Sequence, residues 1–402
     1  MKNLLLLLVA FFFATGTQAQ WVNMNQTFNP RCFTATGSYL YTGTPSGVYR
    51  SSNNGTNFSR VGYSTLNGTV SALGVNGSRV FAGTNNSGSG GFYYTTDGDT
   101  TWTQSFLSSV DNILVTPSYI YVISQALVWR SSNNGVSFVQ TSAPYNSRAL
   151  GANATGSMVY CGGLQGLYSS NNNGSSWTFL NGLDSLIVSD ISVYNNANIY
   201  LCTNSNGVKQ GSIWISTNSG GSWSQKQLFA SVGMSYYSLM LQNPYVLVGC
   251  DSGVVVSRDN GLNWVNKSEG LNNNMRVVSK LYYANNFVLA SASAVLWRRP
   301  FTDAVNVRLI SSEVPGAYTL HQNYPNPFNP STTIKYSIVS SIHVDLIVYD
   351  VTGREIARLV NENQSPGTYE ITWAPSELTS GIYFYKLQAG VYSDTKRMIL
   401  IK

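Results

Sequence analysis

Apolar and aromatic residues of this chain fall in short runs in which they alternate with polar ones, the period of two expected of half-buried strands. Val70-Ser-Ala-Leu73, Val80-Phe-Ala82 and Phe92-Tyr-Tyr94 form one such series, and a polar stretch follows before the next series begins. Second runs at Tyr39-Leu-Tyr41, Ile120-Tyr-Val122, Met158-Val-Tyr160, Asn198-Ile-Tyr200 and Tyr245-Val-Leu247 each precede a third, at Val48-Tyr-Arg50, Val128-Trp-Arg130, Leu167-Tyr168, Ile213-Trp-Ile215 and Val254-Val-Val256. Helical spacing is nearly absent. Each series with the strand that follows it occupies about 40 residues, the span of four short strands and their turns. The pattern predicts an all-β array of four-stranded sheets.

The polar stretch after each third run is an eight-residue motif present in six copies, at 51–58, 95–102, 131–138, 170–177, 216–223 and 257–264. Its third position is Asn53, Asp97, Asn133, Asn172, Asn218 or Asp259, a side chain suited to accept hydrogen bonds from turn amides. The fifth is Gly55, Gly135, Gly174, Gly220 or Gly261, which tolerates positive φ, with Asp99 in the second copy. The eighth is Phe58, Trp102, Phe138, Trp177, Trp223 or Trp264, expected to anchor the hairpin in the core of its own sheet. These loops hold too few carboxylates for calcium, so no metal is expected. A seventh series, Val278-Ser-Lys-Leu-Tyr282, Phe287-Val-Leu-Ala290 and Val295-Leu-Trp297, lacks the motif. Trp21-Val-Asn-Met24 resembles Trp264-Val-Asn-Lys267, so the N-terminal segment is expected to supply the missing outer strand and close a ring.

In phase over six copies, the motif resembles the Ser-x-Asp-x-Gly-x-Thr-Trp repeat of Asp-box (BNR) β-propellers, with Asn often in place of Asp. The resemblance covers about residues 20–304 and implies a seven-bladed β-propeller. Sialidases, xyloglucanases, sortilin-type receptors and photosystem assembly factors all carry such boxes, so the resemblance implies fold and leaves chemistry open.

The texture changes after Ala304. Residues 305–317 read as a linker, and 318–402 as short antiparallel strands of a small Ig-like β-sandwich. Asn323-Tyr-Pro-Asn-Pro-Phe-Asn-Pro330, Tyr349-Asp-Val-Thr-Gly-Arg354, Gly381-Ile-Tyr-Phe-Tyr385 and the terminal Lys396–Lys402 resemble the type A C-terminal sorting domain of the type IX secretion system of Bacteroidota. That resemblance implies passage across the outer membrane of a Gram-negative bacterium, with the secretion machinery as partner and release or attachment at the cell surface as outcome. At the other end, Lys2, an apolar run and small residues up to Ala19 read as a signal peptide over residues 1–19. The apolar run is too short to span a bilayer, and no membrane span is expected once it is removed.

Composition narrows the chemistry. Only 10% of residues are charged, and Lys and Arg are scattered singly despite a net charge of +6, so no basic stripe suggests nucleic acid. Cys32, Cys161, Cys202 and Cys250 lack metal-type spacing and read as buried free thiols. The chain's two histidines, His321 and His343, both follow residue 304, so Ser-His-Asp and Cys-His catalysis are excluded from the repeat region. No phosphate- or dinucleotide-binding glycine pattern is present, and no cofactor is expected.

Glycosidic chemistry needs only two carboxylates. Setting aside the motif residues and Asp303, the repeat region offers Asp111, Asp184, Asp190, Asp251 and Glu269, all expected on the face opposite the motif. Arg31, Arg148 and Tyr237 fall at ring positions similar to Asp111, with Tyr145 and Tyr236 as further stacking surfaces. The favoured expectation is a non-catalytic site for a glycan, peptide or envelope protein, formed by Arg31, Asp111, Arg148, Asp190, Tyr237 and Asp251. The alternatives are a glycoside hydrolase using a pair from Asp111, Asp184, Asp190 and Asp251, and an assembly factor that docks a partner protein. The Arg-Ile-Pro signature of sialidases is absent.

Overall fold

A computed structural model describes residues 20–402 except 63–65, 67, 86–89, 96–100, 106–108, 195–196, 207–208, 227, 229–232, 243–244, 259, 263, 272–275, 302–306, 312, 330, 374, 376–377 and 402. The signal-peptide segment 1–19, Asp97, Asp99 and Asp259 therefore lie outside the described residues. No helix of the described residues is long and apolar enough to cross a membrane. The fold is all-β and separates into two compact units, residues 20–305 and 306–402.

The first unit contains seven four-stranded antiparallel sheets. Sheets 1 to 6, numbered in chain order, are simple meanders whose first, inner strands are Cys32–Thr36, Val70–Asn76, Asn112–Val115, Ser147–Ala152, Ile187–Tyr194 and Tyr236–Gln242; sheet 1 continues with Tyr39–Thr44, Gly47–Ser51 and Ser59–Val61. Sheet 7 takes Val278–Ala284, Phe287–Ala292 and Val295–Pro300 from one end of the unit and Val22–Asn23 from the other, with Val22 opposite Arg298 and Asn23 opposite Trp297. Neighbouring sheets share their cores. Phe81 and Phe92 of sheet 2 pack with Ile120 and Val122 of sheet 3. Phe33 and Leu40 of sheet 1 pack with Leu289 and Leu296 of sheet 7, so the row of sheets is closed into a ring.

Close approach between sheets explains glycines in the second strands. A Cβ on Gly83 would lie 2.6 Å from Val110 of the next sheet, and one on Gly249 would lie 2.6 Å from the Val278 carbonyl oxygen. Only glycine leaves room for the neighbour's inner strand.

The repeated motif forms the hairpin between third and fourth strands, and its geometry recurs from copy to copy. In the fourth copy the Gly174 amide donates to Ser170 Oγ at 2.8 Å, Ser170 Oγ donates to Asn172 Oδ1 at 2.9 Å, and the Ser176 amide donates to that same oxygen at 2.9 Å. The copies at Ser51, Ser131 and Ser216 repeat all three bonds. Gly174 sits at φ +79°, and Asn173 before it at +57°. The fourth position is therefore left-handed in Asn54, Asn134, Asn173, Ser219 and Asn260, which explains why Asn predominates there.

The closing aromatic behaves differently from expectation. It packs between sheets, against the preceding sheet as well as its own: Trp177 joins a cluster with Tyr121 and Ile123 of sheet 3, Ala143 of the exit loop, and Leu150 and Val159 of its own sheet, and Trp102 lies against Gly62 and Leu66 after sheet 1. Trp21 takes this place in sheet 7, where it is 2% exposed and its indole nitrogen donates to the Lys267 carbonyl at 2.7 Å. Fully buried Arg299 grips the same segment, bonding the Lys267 carbonyl and forming a 2.8 Å ion pair with Glu269.

The second unit contains two four-stranded sheets around one core that includes Phe328, Tyr336, Leu346, Tyr385 and Met398. Its first strand, Val307–Ser311, pairs with Gly367–Trp373, so the segment expected to be a linker contributes an edge strand. The Asn-Pro stretch laces onto the terminal strand Tyr392–Leu400. Asn326 Oδ1 accepts the Ile399 amide at 2.9 Å, the Phe328 amide donates to the Ile399 carbonyl, and the Ile401 amide returns to the Phe328 carbonyl. Asn323 is 2% exposed and bonds the Pro325 carbonyl and Thr332 hydroxyl. The Asn-Pro stretch and the terminal strand thus contact one another through backbone hydrogen bonds and through the Asn326 side chain.

Candidate functional site

Inner strands define the mouth of the ring on the face opposite the motif hairpins. Five of them carry a β-bulge near their start, with the extra residue at Ser71, Arg148, Ser189, Tyr237 or Ser279. In the other two the same arrangement appears in the backbone hydrogen bonds, where the Arg31 amide donates to the carbonyl of Gly43, the partner of Cys32, and the Asp111 amide donates to that of Ile123, the partner of Asn112. Arg31, Ser71, Asp111, Arg148, Ser189, Tyr237 and Ser279 therefore occupy one station around the ring. A bulge re-aims the extra side chain out of the sheet's alternation, which suits a binding rim.

Asp190, Asp251 and Glu269 on this face are held by the protein itself. Asp190 stands one residue past the station, and Asp190 Oδ2 accepts the Leu239 amide at 2.9 Å and lies 3.5 Å from Lys280 Nζ, while Oδ1 accepts the Ile191 amide at 3.0 Å. It ties three consecutive sheets together at the mouth. Asp251 receives the Ser235 amide and the Tyr237 hydroxyl, each at 2.7 Å. Burial, aided by the bond to Asp251 and its charge, pushes the Tyr237 hydroxyl up to about 12, so it remains the donor. Asp111 is exposed and accepts from Asn85 at 2.6 Å. Asp184 is exposed in the loop between sheets 4 and 5, away from the station, and its backbone carbonyl holds Lys209. Glu269 is spent on Arg299.

Two arginines contrast with these. Arg31 and Arg148 are exposed at the station, and neither guanidinium has a protein partner among the described residues. Arg31 borders a cleft of about 450 Å³ between sheets 7, 1 and 2, lined also by Ser71, Ser279, Ser291 and Val277. Hydroxyls of Ser71 and Ser291 donate to the Val110 and Pro30 carbonyls, so they face a ligand as acceptors.

Tyr236 is wholly buried and cannot serve as a stacking surface; the bulge turns Tyr236 inward and Tyr237 toward the mouth. Tyr145 is 64% exposed. All four cysteines are buried free thiols, and burial pushes Cys32 up to about 12 and Cys161 to about 11. Among the described residues no group of His, Cys, Asp and Glu is placed to hold a metal ion. Sequence reasoning missed a set of inter-sheet clamps on the motif face: Arg79 and Arg298 donate to the carbonyls of Asn134 and Asn54 at 3.1 and 2.6 Å, and Arg130 donates to that of Asn173. Each acceptor is the left-handed fourth residue of the next sheet's motif, so a consistent Asn there was the available signal.

Residues 322–402 match the family model described as a secretion system C-terminal sorting domain. The second unit carries a sorting domain. It indicates export by type IX secretion, and hence a secreted or cell-surface protein of a Bacteroidota-type bacterium. No curated protein matches the chain. Among solved structures, the β-propeller domain of Cps50 (Swd1) from Myceliophteria thermophila is similar at 11% identity and a TM-score of 0.54, covering 68% of this chain and 97% of that one. PorZ of Porphyromonas gingivalis, described as an essential bacterial surface component of the type IX secretion system, is similar at 13% identity and a TM-score of 0.40, over 92% of this chain and 65% of PorZ. The computationally designed Ika8 protein is similar at 14% identity and a TM-score of 0.47, over 67% of this chain and 83% of that one. The likeness to the Cps50 domain shows a β-propeller fold.

Proposed function

We propose that this protein is a type IX secretion cargo whose seven sheets are the blades of an Asp-box propeller, joined to an Ig-like sandwich that directs export. At the outer surface or released from it, the propeller binds an extracellular glycan, peptide or envelope protein through the mouth residues Arg31, Asp111, Arg148 and Tyr237, without cleaving it. One observation carries this reading: the arginine guanidinium groups of the station are left without partners among the described residues, while the nearby carboxylates Asp190 and Asp251 are occupied. A glycosidase needs one carboxyl group able to give up a proton and another able to attack or to activate water. Asp190 and Asp251 use both of their oxygens as acceptors from protein donors, which fixes them as structural ties.

Purified protein tested against arrayed glycans and against soluble polysaccharides separates the readings. Ligand capture weakened about tenfold or more by Arg31→Ala or Arg148→Ala is expected, the loss of one charge-assisted contact. Sugar release abolished by Asp111→Asn or Asp190→Asn would establish the hydrolase instead. For export, the terminal strand Tyr392–Leu400 pairs along its length with Gly381–Ala389 and also receives the Asn323–Pro330 stretch. Removing residues 396–402 should leave the protein in the periplasm, and normal export of the shortened chain would overturn the sorting role.

A further inference from the structure

Sheet 5 departs from its neighbours in the turn between second and third strands. In sheets 1, 3, 4, 6 and 7 that turn is a two-residue link, as between Gly163 and Gly166 or Cys250 and Gly253. In sheet 5 the strands stop at Asn204 and resume at Ile213. From the longer connection, Lys209 and Gln210 line a cleft of about 420 Å³ together with Gly182, Leu186, Trp214 and Gln225. Its walls are pinned. The Lys209 amide donates to Asn206 Oδ1 at 2.6 Å, Asn206 Nδ2 donates to the Ser185 carbonyl at 3.0 Å, and the Gly211 amide donates to the Met234 carbonyl at 3.0 Å. Gln225 Nε2 donates to Ser212 Oγ at 2.8 Å, and Lys209 Nζ reaches the Asp184 carbonyl. Side chains and amides tethered in this way have little ordering entropy left to lose when a ligand arrives.

We propose that this cleft is a second binding site, independent of the ring mouth, that takes a sugar residue of an oligosaccharide. The lining fits that chemistry. Half-buried Trp214 offers an indole surface for the apolar face of a pyranose ring. Gln210 and Gln225 bring primary amides, which both donate to and accept from hydroxyl groups, and Lys209 adds a cationic donor. Among the described residues that line the cleft none is a carboxylate. An extended peptide would require an unpaired strand edge or several apolar pockets. Trp214 is instead paired on both sides, to Leu201 and Gln225, and Leu186 is the one aliphatic side chain in the lining.

The test uses the full purified chain on an array of neutral and acidic bacterial and plant oligosaccharides, followed by titration of the bound ones with tryptophan fluorescence as readout. Gln210→Ala, Lys209→Ala and Trp214→Ala should each weaken binding about tenfold or more, while Val139→Ala, at an exposed residue on the outer strand of sheet 3, leaves it unchanged. The two loop variants control for Trp214→Ala, because Trp214 also packs against the core between sheets 4 and 5. Absence of any saccharide binding overturns the site, as does binding that is insensitive to Gln210→Ala and Lys209→Ala. Binding lost in Arg31→Ala alone assigns the sugar to the mouth instead. A peptide that competes at the Trp214 cleft overturns the ligand class.

Discussion

The two faces of the ring are built from the same strands and differ in what their loops answer to. On the motif face, the hairpin at Ser170 closes on itself through Asn172 and Gly174, and the copies at Ser51, Ser131 and Ser216 close through the same atoms. On the mouth face the equivalent station carries Arg31, Ser71, Asp111, Arg148, Ser189, Tyr237 and Ser279, seven sheets with two arginines, three serines, one carboxylate and one phenol. A loop that satisfies its own amides constrains its residues wherever it occurs. The bulge at the mouth is equally constant in backbone, yet its side chain points away from the sheet and is free to differ. Constancy on one face comes from local hydrogen bonding, and variety on the other marks the surface available for recognition.

The strongest way to challenge this division is at the seam, where no motif exists and Trp21 fills the inter-sheet place. Trp21→Ala should cost about 3–5 kcal/mol, the range for deleting a buried aromatic, and lower the midpoint of chemical unfolding. A loss under 1 kcal/mol would show that the ring is closed by other contacts. A single motif copy should matter less. Ser170→Ala leaves the Gly174 amide, buried in the hairpin, without its acceptor, and a cost of about 1–3 kcal/mol is expected. The same denaturation curve on Ser216→Ala should give a similar value, because the two loops share their bonds. Values that differ widely would break the claim that the face is uniform.

How much of this was legible in the sequence follows the same line. Strand order, the turn role of Asn172 and Gly174, and the N-terminal outer strand could be read because each depends on neighbours in the chain or on a repeated local pattern. The inter-sheet seat of the motif aromatic could not, since strand direction alone leaves open which sheet receives Trp177. Asp190 looked available, but its partners Leu239 and Lys280 are 49 and 90 residues away, beyond any local pattern. Tyr236 and Tyr237 looked interchangeable until a one-residue bulge buried the first and turned the second outward. The cleft at Trp214 left only a trace in sequence, a turn longer than in most of the other sheets.

A charged version of the motif's closure occurs in the second unit and sharpens the comparison. Asp350 Oδ1 accepts the amides of Thr352 and Arg354 and the Thr352 hydroxyl, as the motif Asn accepts within its own loop. These bonds, that from the Thr352 hydroxyl first, lower the Asp350 carboxyl to about 2. A carboxyl depressed on folding contributes stability that is fully present above its ordinary value near 4 and is lost as pH falls toward 2. Asp350→Asn should therefore unfold more easily than the parent at pH 7, and the gap should narrow between pH 4 and 2. A gap that stays constant over that window would show that the charge contributes nothing to the turn. No such window exists for the uncharged Asn172 loop, so Asn172→Ser should give a pH-independent difference.

The smallest effect on stability is expected at the mouth, and that is what makes it informative. Arg31 and Arg148 are exposed and bond no protein group among the described residues, so Arg31→Ala and Arg148→Ala should each change unfolding free energy by no more than about 0.5 kcal/mol. Lys280, on the same face but held by Asp190, serves as the internal control. Lys280→Ala removes the charge that faces a half-buried carboxylate linking three sheets and should destabilise by more than either arginine. Unfolding curves for the three variants, measured beside ligand capture by the same preparations, distinguish a recognition surface from a structural one. If the arginine variants fold as firmly as the parent and bind less, their guanidinium groups are kept for something outside the protein. If they lose stability as Lys280→Ala does, the mouth is a continuation of the core and recognition must be sought off the axis.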